Sequence, residues 1–446
     1  MASLACDDLE GRKTFPYNRN ESSWERDRSG VPETGYAIKG GWRAPCAGGN
    51  LSVNHAPSSN SFEVVIVGSG PAGASAALGL AKAGVKVAVL ERASLPRRKT
   101  CGGGVVQRAL RLLPPNIRDA VERDCFVAEM NLLDTGLHFE TRRQAPIISM
   151  TMREQFDYLL LSTARDAGAY IQPSCRVLDV FQHNERVELV TSTGPLSARF
   201  VIAADGAKSV VARTANLPDN RRLIPALEYE VFVGDSLLEQ FSRSARFDVG
   251  VVPYGYGWVF PKREHLSIGI LTMRSDLTNL NERFDPYMRF LGITSPLRME
   301  RHGSLIPVTT RSGPFAFGRI LLAGDAAGFV DPVTCEGITF AIQSGQIAAR
   351  SLVGGNLRAE AVSQAYDREI AAEILPELNT ARRLATILYD YPTLRAIFFR
   401  LHGHRFSEAV TDIMTGDRSY REVISNPANY LKLLKLWGQG RPSYTA

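Results

Sequence analysis

VVIVGSGPAG, residues 64 to 73, is the stretch that decides the fold, because an apolar run passes there directly into a glycine turn. The uninterrupted β-branched run suits a strand covered on both faces of a parallel sheet. In a dinucleotide-binding turn, Gly68 permits the tight turn, Gly70 lets the backbone approach a pyrophosphate, and Gly73 lets the next helix pack closely. That helix begins at Pro71-Ala72, and its N-terminus would face the anion.

A second strand, Val85 to Leu90, follows the helix and ends at Glu91. A carboxylate at this distance receives ribose hydroxyls and repels a 2′-phosphate, so the pattern favours FAD or NAD over NADP at this turn. A lone glycine pattern is weak evidence, because glycines also mark ordinary turns. The order strand, turn, helix, strand and acid makes an α/β unit without a nucleotide the weaker explanation.

Size and composition describe an ordinary globular protein of two or three domains, with 446 residues, 44% hydrophobic and 22% charged. The net charge of +6 comes without a dense basic run interleaved with aromatics, which argues against nucleic acid as a partner. No apolar stretch reaches the roughly 18 to 20 residues that span a bilayer. The six cysteines lack CxxC spacing, which argues against a metal site or a secreted disulfide framework. We therefore expect a cytoplasmic-type compartment.

Residues 1–60 are rich in Gly, Ser, Asn, Pro and charge without sustained periodicity, so we expect a disordered extension. Acids such as Asp7 and Glu10 argue against a transit peptide, and no signal-peptide core is present.

Two segments after Glu91 are candidate cofactor contacts. The basic cluster that begins at Arg92 would neutralise phosphates or form a solvated loop, and the sequence leaves both open. It leads into Cys101-Gly102-Gly103-Gly104, where the glycines allow the backbone to pass against a flat ligand. Arg153 begins a helix that is predicted to end near Gly168, before a strand predicted over Tyr170 to Val180. The helix dipole disfavours a cation at the first position, which favours a cofactor contact for Arg153 over an ordinary first-turn residue.

Two further strands end in an acid beside a glycine. Phe200 to Ala204 runs into Asp205-Gly206, a pattern typical of sites at the carboxyl edge of a sheet but also of simple turns. A later strand ends at Gly324-Asp325, where the carboxylate would accept a hydrogen bond from a cofactor's sugar-alcohol chain. Gly337-Ile338 opens a helix predicted to reach about Val353, and its first N–H groups could stabilise negative charge on a reduced ring.

Residues 222–310 change to alternating patterns that predict antiparallel strands. Within them the aromatic segment Tyr254 to Pro261 would form either plain core or the wall of an apolar channel. From Ala359 the chain reads as helices. Its last apolar and basic stretch, Tyr430 to Trp437, would dock on the core or dip into a lipid surface.

Together these motifs have the order found in flavoprotein hydroxylases of the p-hydroxybenzoate hydroxylase type, and within that superfamily the chain most resembles the geranylgeranyl reductase family. Three segments carry the resemblance: Cys101 to Gly104, Tyr254 to Pro261, and Gly324 to Val330 with Glu336 to Ile338. It implies an α/β fold with a Rossmann-like FAD-binding domain, an inserted antiparallel β-sheet substrate domain and a helical C-terminal tail. The implied boundaries are an extension over 1–60, the FAD-binding domain over 61–221 and 311–358, the substrate domain over 222–310 and the helical region over 359–446.

The resemblance implies FAD-dependent saturation of carbon–carbon double bonds in a polyprenyl chain, carried on chlorophyll, an archaeal lipid or a prenyl diphosphate. Such chemistry needs a long apolar slot beside the flavin, and the segment containing Tyr256 and Trp258 is suited to build it. Cys101 and Cys335 are expected on opposite sides of the ring. One would donate a proton, or the two would form a reducible pair, or both would be inert; a helix start would lower the pKa of such a thiol.

Two other functions fit the same motifs. The first is a flavin-dependent monooxygenase or halogenase on the same fold. The second is a non-catalytic prenyl-binding carrier, since Rab escort proteins share a related fold, although the intact Gly324-Asp325 pair argues against it. Because a single glycine fingerprint is present, NADPH would bind transiently on another surface, or a ferredoxin-like donor would supply the electrons. The sequence leaves open whether the protein is freely cytoplasmic or also contacts a membrane surface.

Overall fold

The computed structural model describes residues 61–277 and 279–425. The predicted extension over 1–60 and the amphipathic end at 430–437 lie outside these residues. Eighteen strands occur in the described part of the chain: β1 Ser61–Val67, β2 Val87–Leu90, β3 Gly104–Val106, β4 Val121–Cys125, β5 Val127–Leu132, β6 Leu137–Arg142, β7 Ile148–Thr151, β8 Tyr170–Gln172, β9 Val177–Gln182, β10 Val187–Thr191, β11 Gly194–Ala203, β12 Leu223–Phe232, β13 Ser244–Val249, β14 Gly255–Pro261, β15 Leu266–Thr272, β16 Arg298–Pro307, β17 Ala316–Phe317 and β18 Ile320–Leu322.

The same residues contain eleven α-helices and two short 3-10 helices, at Pro115–Ala120 and Gly324–Ala326. The α-helices are α1 Pro71–Lys82, α2 Gln107–Leu110, α3 Arg153–Asp166, α4 Val210–Thr214, α5 Asp235–Phe241, α6 Leu280–Phe290, α7 Ile338–Gly354, α8 Ala359–Glu373, α9 Leu375–Asp390, α10 Pro392–Thr415 and α11 Tyr420–Ser425. Among these helices, none combines the length and the apolar character needed to cross a bilayer.

The first sheet has the strand order β17-β18-β11-β1-β2-β8, and its centre β18-β11-β1-β2-β8 is parallel. The apolar run at the end of β1 is fully buried, as expected for the middle strand of a parallel sheet. Small residues let α1 lie close against α7: a Cβ added at Gly79 would come within 2.8 Å of the methyl group of Ala349. The predicted Rossmann-like α/β class is confirmed.

The second sheet has the order β16-β12-β15-β14-β13-β5-β6. The predicted antiparallel strands near 227–233 and 265–271 pair as β12 and β15. The sheet is nevertheless larger than the predicted 222–310 segment, and it is not purely antiparallel, because β5 and β6 join it and β13 pairs with β5 in parallel. β5 and β6 lie more than 80 residues before β12, the next strand of this sheet along the chain, and their local sequence pattern does not indicate that they join it.

Alternation along the strands gives this sheet two different faces. On one face, apolar side chains such as Ile268 and Ile270 pack against Phe284 and Tyr287 of α6. The opposite face carries Trp258, together with Tyr256, and packs in a separate cluster with residues of α9 and α10. The face that carries the aromatic segment is therefore the one that the C-terminal helices cover.

A small third sheet, β3-β7-β4, follows the glycine loop, and the described part of the chain ends in the four helices α8 to α11. The helical C-terminal region is confirmed. Pro392 does more than break the chain: it occupies the first turn of α10, where its missing N–H costs nothing. α10 then continues to Thr415, where Gly416 in the left-handed region ends it.

Candidate functional site

The glycine turn after β1 is pressed against the loop after β11. Gly68 has φ +102°, and an added Cβ would lie 2.4 Å from the carbonyl oxygen of Ala204, next to Asp205. An added Cβ at Gly73 would lie 2.0 Å from the carbonyl oxygen of Gly68. At Gly70 a Cβ would meet only the guanidinium of Arg97, at 3.6 Å. The turn therefore leaves room for a ligand at the glycine that caps α1.

The loop after β18 meets the same turn. An added Cβ at Gly324 would lie 3.1 Å from the methyl group of Ala72 in α1, and one at Gly337 would lie 3.3 Å from Oδ1 of Asp325. The glycine turn, the Asp205-Gly206 loop and the Gly324-Asp325 loop thus gather at one edge of the parallel sheet. Gly337 and Ile338, where α7 begins, lie next to the Gly324-Asp325 loop.

Two buried arginines that sequence reasoning missed connect these loops. Arg221 donates from Nη1 to the carbonyl oxygen of Asp325 at 2.5 Å and from Nη2 to that of Ala207 at 2.9 Å. Arg311 donates to the carbonyl oxygen of Ala326 at 2.8 Å, and both arginines contact Asp219. Their side chains are 2% exposed. No local motif marks them, because their partners are carbonyl groups of loops brought together only by the fold.

One carboxylate oxygen of Asp205 accepts hydrogen bonds from the protein, and the other has no protein partner. Its Oδ2 accepts hydrogen bonds from the N–H groups of Val210, at 2.6 Å, and Val211, at 3.1 Å, at the start of α4. Burial raises the pKa of Asp205, although bonds from Ser209 and the backbone oppose this. Its Oδ1 is buried without a protein partner. A buried carboxylate oxygen without a donor fits a cofactor hydroxyl group at this position.

Glu91 is 5% exposed and binds the glycine turn. Its Oε2 accepts hydrogen bonds from the Ser69 hydroxyl at 2.6 Å and from Arg97 Nε at 2.8 Å, and its Oε1 accepts one from the N–H of Ala93 at 3.0 Å. Burial alone would raise the pKa of Glu91, but Arg97 and these hydrogen bonds lower it below its ordinary value. Arg92 is exposed, so Arg97 is the member of the basic cluster that reaches the turn.

Arg97 also joins a buried chain of charges. Its Nη2 lies 3.2 Å from Oδ2 of Asp157, which in turn accepts two 2.9 Å hydrogen bonds from Arg153. Burial would lower the pKa of Arg153, but the neighbouring Asp157 raises it well above its usual range. Arg153 is thus a permanently charged residue, held one helical turn from its partner and directed towards the Cys101 loop.

The Cys101 to Gly104 loop packs on the aromatic strand β14. A Cβ at Gly102 would lie 2.7 Å from the indole nitrogen of Trp258, and one at Gly104 would lie 2.9 Å from the ring of Phe260. Lys262, with no exposed surface, donates to the carbonyl oxygens of Gly102, at 2.7 Å, and Thr151, at 2.9 Å. The glycines are therefore required at least for packing onto this strand.

The two candidate cysteines lie in different surroundings. Cys101 Sγ accepts a hydrogen bond from the N–H of Gly103 at 3.4 Å, and Cys101 packs against the core of the first sheet. Cys335 packs in the aromatic cluster with Tyr256, and both cysteines are free thiols. Burial raises the pKa of Cys335 far above that of an ordinary thiol, and the charge of Asp331 adds to this. The prediction that a helix start lowers this pKa is wrong, because α7 begins three residues later.

An apolar cavity lies between the second sheet and the C-terminal helices. Tyr256 lines it, whereas Trp258 does not; the Trp258 ring lies between Tyr256 and the glycine loop instead. Tyr256 therefore borders this cavity, and the role of the aromatic segment as the wall of a ligand channel stays a prediction. The walls come from β5, β13, the Val333-Thr334 turn, α9 and α10, and include Met130, Phe247, Val249, Leu388, Tyr389, Arg395, Phe399, Phe406, Val410 and Met414.

Known proteins share both the nucleotide-binding part and most of the chain. Residues 61–254 match the family model described as FAD binding domain. The chain is 34% identical over 316 residues to the digeranylgeranylglycerophospholipid reductase 1 of Methanopyrus kandleri, an alignment that covers 66% of this chain and 80% of that protein. The chain belongs to the geranylgeranyl reductase family. It is an FAD-dependent oxidoreductase, and the resemblance stated from the motifs is confirmed.

Other members of this geranylgeranyl reductase family align over still more of the chain. The chloroplastic geranylgeranyl diphosphate reductase of Oryza sativa subsp. japonica is 29% identical over 409 residues, which covers 84% of this chain and 85% of that protein. A geranylgeranyl bacteriochlorophyll reductase-like structure from Thermoplasma acidophilum superposes with a TM-score of 0.66 at 24% identity, over 75% of this chain and 90% of that one. That structure shows the same fold.

Proposed function

We propose that this protein saturates carbon–carbon double bonds of a polyprenyl chain, using FAD as its electron carrier. The observation that carries the proposal is this apolar cavity, whose lining of aliphatic and aromatic side chains suits an apolar ligand chain. Its wall at Tyr256 continues through Trp258 to the Cys101 loop. A prenyl chain in this cavity would therefore have a continuous aromatic path to the cofactor edge.

The residues gathered at the sheet edge fit FAD. The Gly68 to Gly73 turn would receive the pyrophosphate, with Arg97 beside it as a counter-charge, and Glu91 would receive ribose hydroxyls. Asp205, with its buried unpartnered oxygen, and Asp325 would bind the sugar-alcohol chain. Bound FAD supplies the electron pair that reduces the double bond.

We assign the accompanying proton to Cys101, which lies in the loop that packs on Trp258. The Gly103 N–H donates to this sulfur at 3.4 Å, and the Arg153 guanidinium lines the same cavity as Cys101. Cys335, whose thiol is neutral at any ordinary pH, would form part of the aromatic wall beside Tyr256.

The substrate is a prenyl lipid or a prenyl diphosphate, and we infer that the protein takes it from an anionic membrane surface. Exposed apolar side chains follow one side of the α9–α10 corner at three- and four-residue spacings, and exposed arginines flank them. The same helices line the cavity. The apolar side chains are Ile387, Tyr391, Leu394, Ile397 and Leu401, and the arginines are Arg382, Arg383, Arg400 and Arg405. The electron donor to FAD is either NADPH or a ferredoxin-like protein.

The deciding experiment uses the purified protein with FAD, reduced chemically without oxygen and mixed with geranylgeranyl diphosphate. We expect products that have gained two hydrogen atoms per double bond, detected by mass spectrometry. A protein that takes up no FAD would indicate a prenyl carrier. A long-lived hydroperoxide-like absorbance on mixing with oxygen, without prenyl reduction, would favour the monooxygenase or halogenase alternative.

A further inference from the structure

Two buried carboxylates face the Cys101 loop from the second sheet. Glu228 is 2% exposed and Glu230 6% exposed, and their spacing places both on the same face of β12. Across the ladder, His302 of β16 stands opposite Glu228. Carboxylates are rarely buried to this degree without a specific role or partner.

Glu228 faces the loop that carries the candidate proton donor. Glu228 and Cys101 line the same polar cavity, and the hydroxyl of Ser267 on β15 donates to Oε1 of Glu228 at 2.7 Å. Lys262, which binds the carbonyl oxygen of Gly102, contributes a favourable charge. The carboxylate and the thiol residue are therefore held next to each other from both sides of the loop.

A small polar cavity is lined by both groups and by the exposed Arg98. Its size suits about one water molecule. His302 Nε2 is buried there without a protein partner, and the rim is formed by the half-exposed ion pair of Arg98 and Glu300. The charged or titratable groups around Glu228 are Arg98, Lys99, Cys101, Arg153, Glu154, Glu230, Lys262 and His302, with His265 paired to Glu230.

These surroundings set the protonation of Glu228 near neutrality. Burial, and after it the charge of Glu230, raise the pKa of Glu228, while Ser267, Lys262 and the backbone at Cys101 oppose the rise. The resulting pKa of Glu228 is about 7. A carboxyl group with a pKa close to the working pH can both give and regain a proton readily.

We propose that Glu228 returns a proton to Cys101 after each reduction, through the polar cavity that the two residues share. The proposal rests on the proposed function. In that reaction the S–H bond of Cys101 breaks as a C–H bond forms at one alkene carbon, while the electron pair arrives at the other carbon as hydride from the reduced cofactor. The O–H bond of Glu228 then breaks, the S–H bond re-forms, and solvent protons restore the carboxyl group. Because Glu228 acts through Cys101, it is a positioning residue.

The first test measures the coupling without any turnover. Iodoacetamide alkylation of Cys101 is followed from pH 5 to 9 by peptide mass spectrometry in the wild type, Glu228→Gln and the control Glu154→Gln, which alters a carboxylate of the same cavity. Ionised Glu228 disfavours the thiolate, so above pH 7 we expect Glu228→Gln to react about threefold faster or more than the wild type. Below pH 6 the two should agree, and Glu154→Gln should follow the wild type.

A second variant and a kinetic readout separate this coupling from a structural defect. Ser267→Ala keeps the carboxyl group but removes a hydrogen bond to it, and should move the wild-type inflection to higher pH. Reduced Glu228→Gln should complete its first prenyl reduction at the wild-type rate and then slow at least tenfold. Alkylation profiles of the same shape in wild type and Glu228→Gln, with prenyl reduction intact, would overturn the proposal. If the alkylation profiles differ as expected but the wild-type protein reduces no prenyl substrate, the proposed function is wrong instead.

Discussion

At the scale of single residues, the site is held by buried charges rather than by the glycines alone. Glu91, Arg97, Asp157 and Arg153 form a continuous chain of ion pairs from the glycine turn to the Cys101 loop. The side chain of each of these four residues is at most 13% exposed. Removing one of these side chains would leave its neighbour as a buried, unpaired charge, and an unpaired buried charge strongly destabilises the fold.

Glu228 makes stability depend on pH in a definite direction. Its folded pKa of about 7 lies above the ordinary 4.5, so its stabilising proton is fully held below pH 4.5 and is lost as pH rises through 7. The resulting penalty is at most about 3 kcal/mol above pH 7. We expect Glu228→Gln to be more stable than the wild type at pH 8 but not at pH 5, in urea unfolding. A stability difference independent of pH would contradict the raised pKa.

Cys101→Ser separates the two candidate thiols. A serine hydroxyl is a much weaker acid than a thiol, so prenyl reduction should slow by about 10²-fold while FAD stays bound. Cys335→Ser is the matched control, because that thiol is buried in the aromatic cluster and held neutral. Steady-state rates with chemically reduced protein provide the measurement. If both variants turn over like the wild type, neither cysteine donates the proton.

At the scale of elements, the glycine loop and β14 act as one packed unit. Gly102→Ala would place a methyl group 2.7 Å from the Trp258 nitrogen and 3.1 Å from Phe260. Such overpacking costs about 1–3 kcal/mol. We expect a lower melting temperature and weaker FAD retention, both partly restored by adding Trp258→Phe. Gly234→Ala is the control, because nothing lies within 4 Å of its added Cβ. Equal melting temperatures for Gly102→Ala and the control would contradict this packing.

Element boundaries also show what local patterns miss. The sequence predicts one strand over 170–180, but the chain forms β8 and β9 with a turn between them at Ser174, which has φ +53°. Pro173 directly precedes Ser174 and is a local turn signal, which the prediction of one continuous strand overlooked.

At the scale of the whole molecule, the apolar cavity exists because the C-terminal helices lie over the second sheet. Val410→Trp would fill it from α10, so prenyl reduction should fall at least about tenfold, the cost of roughly 1.4 kcal/mol of lost binding. FAD content should not change, since the cofactor edge is formed by other loops. Val353→Trp at an exposed position of α7 is the control. Unchanged KM and kcat in Val410→Trp would exclude this cavity as the prenyl site.

The α9–α10 corner should bind anionic vesicles. Burying a leucine side chain in lipid contributes about 1.5–3 kcal/mol, so replacing Leu394 and Leu401 together by serine should weaken binding by tenfold or more. Co-sedimentation with vesicles containing phosphatidylserine measures this. Leu297→Ser removes a more exposed leucine elsewhere and should bind like the wild type. Equal losses in both proteins would indicate non-specific adhesion.

Much of the candidate site follows from local sequence. The glycine turn, Glu91, Asp205 and Asp325 each follow a buried apolar strand, and parallel strands present their carboxyl ends at one edge, so local sequence determines both the Rossmann-like fold and the edge at which these motifs gather. The aromatic strand and the cysteine loop, taken with those motifs, determine the family. These features are local: each motif carries its own physical requirement within about ten residues.

Tertiary structure alone decided the rest, because the remaining interactions join residues far apart in the chain. Arg221 and Arg311 bind backbone carbonyls of distant loops, and β5 and β6 complete a sheet whose other strands begin more than 80 residues later. In the sequence, Glu228 is one charged residue in an alternating strand. Only the fold shows that it is buried and that it faces the Cys101 loop. Burial and long-range contacts set charge and pKa, and neither quantity is encoded in a local pattern.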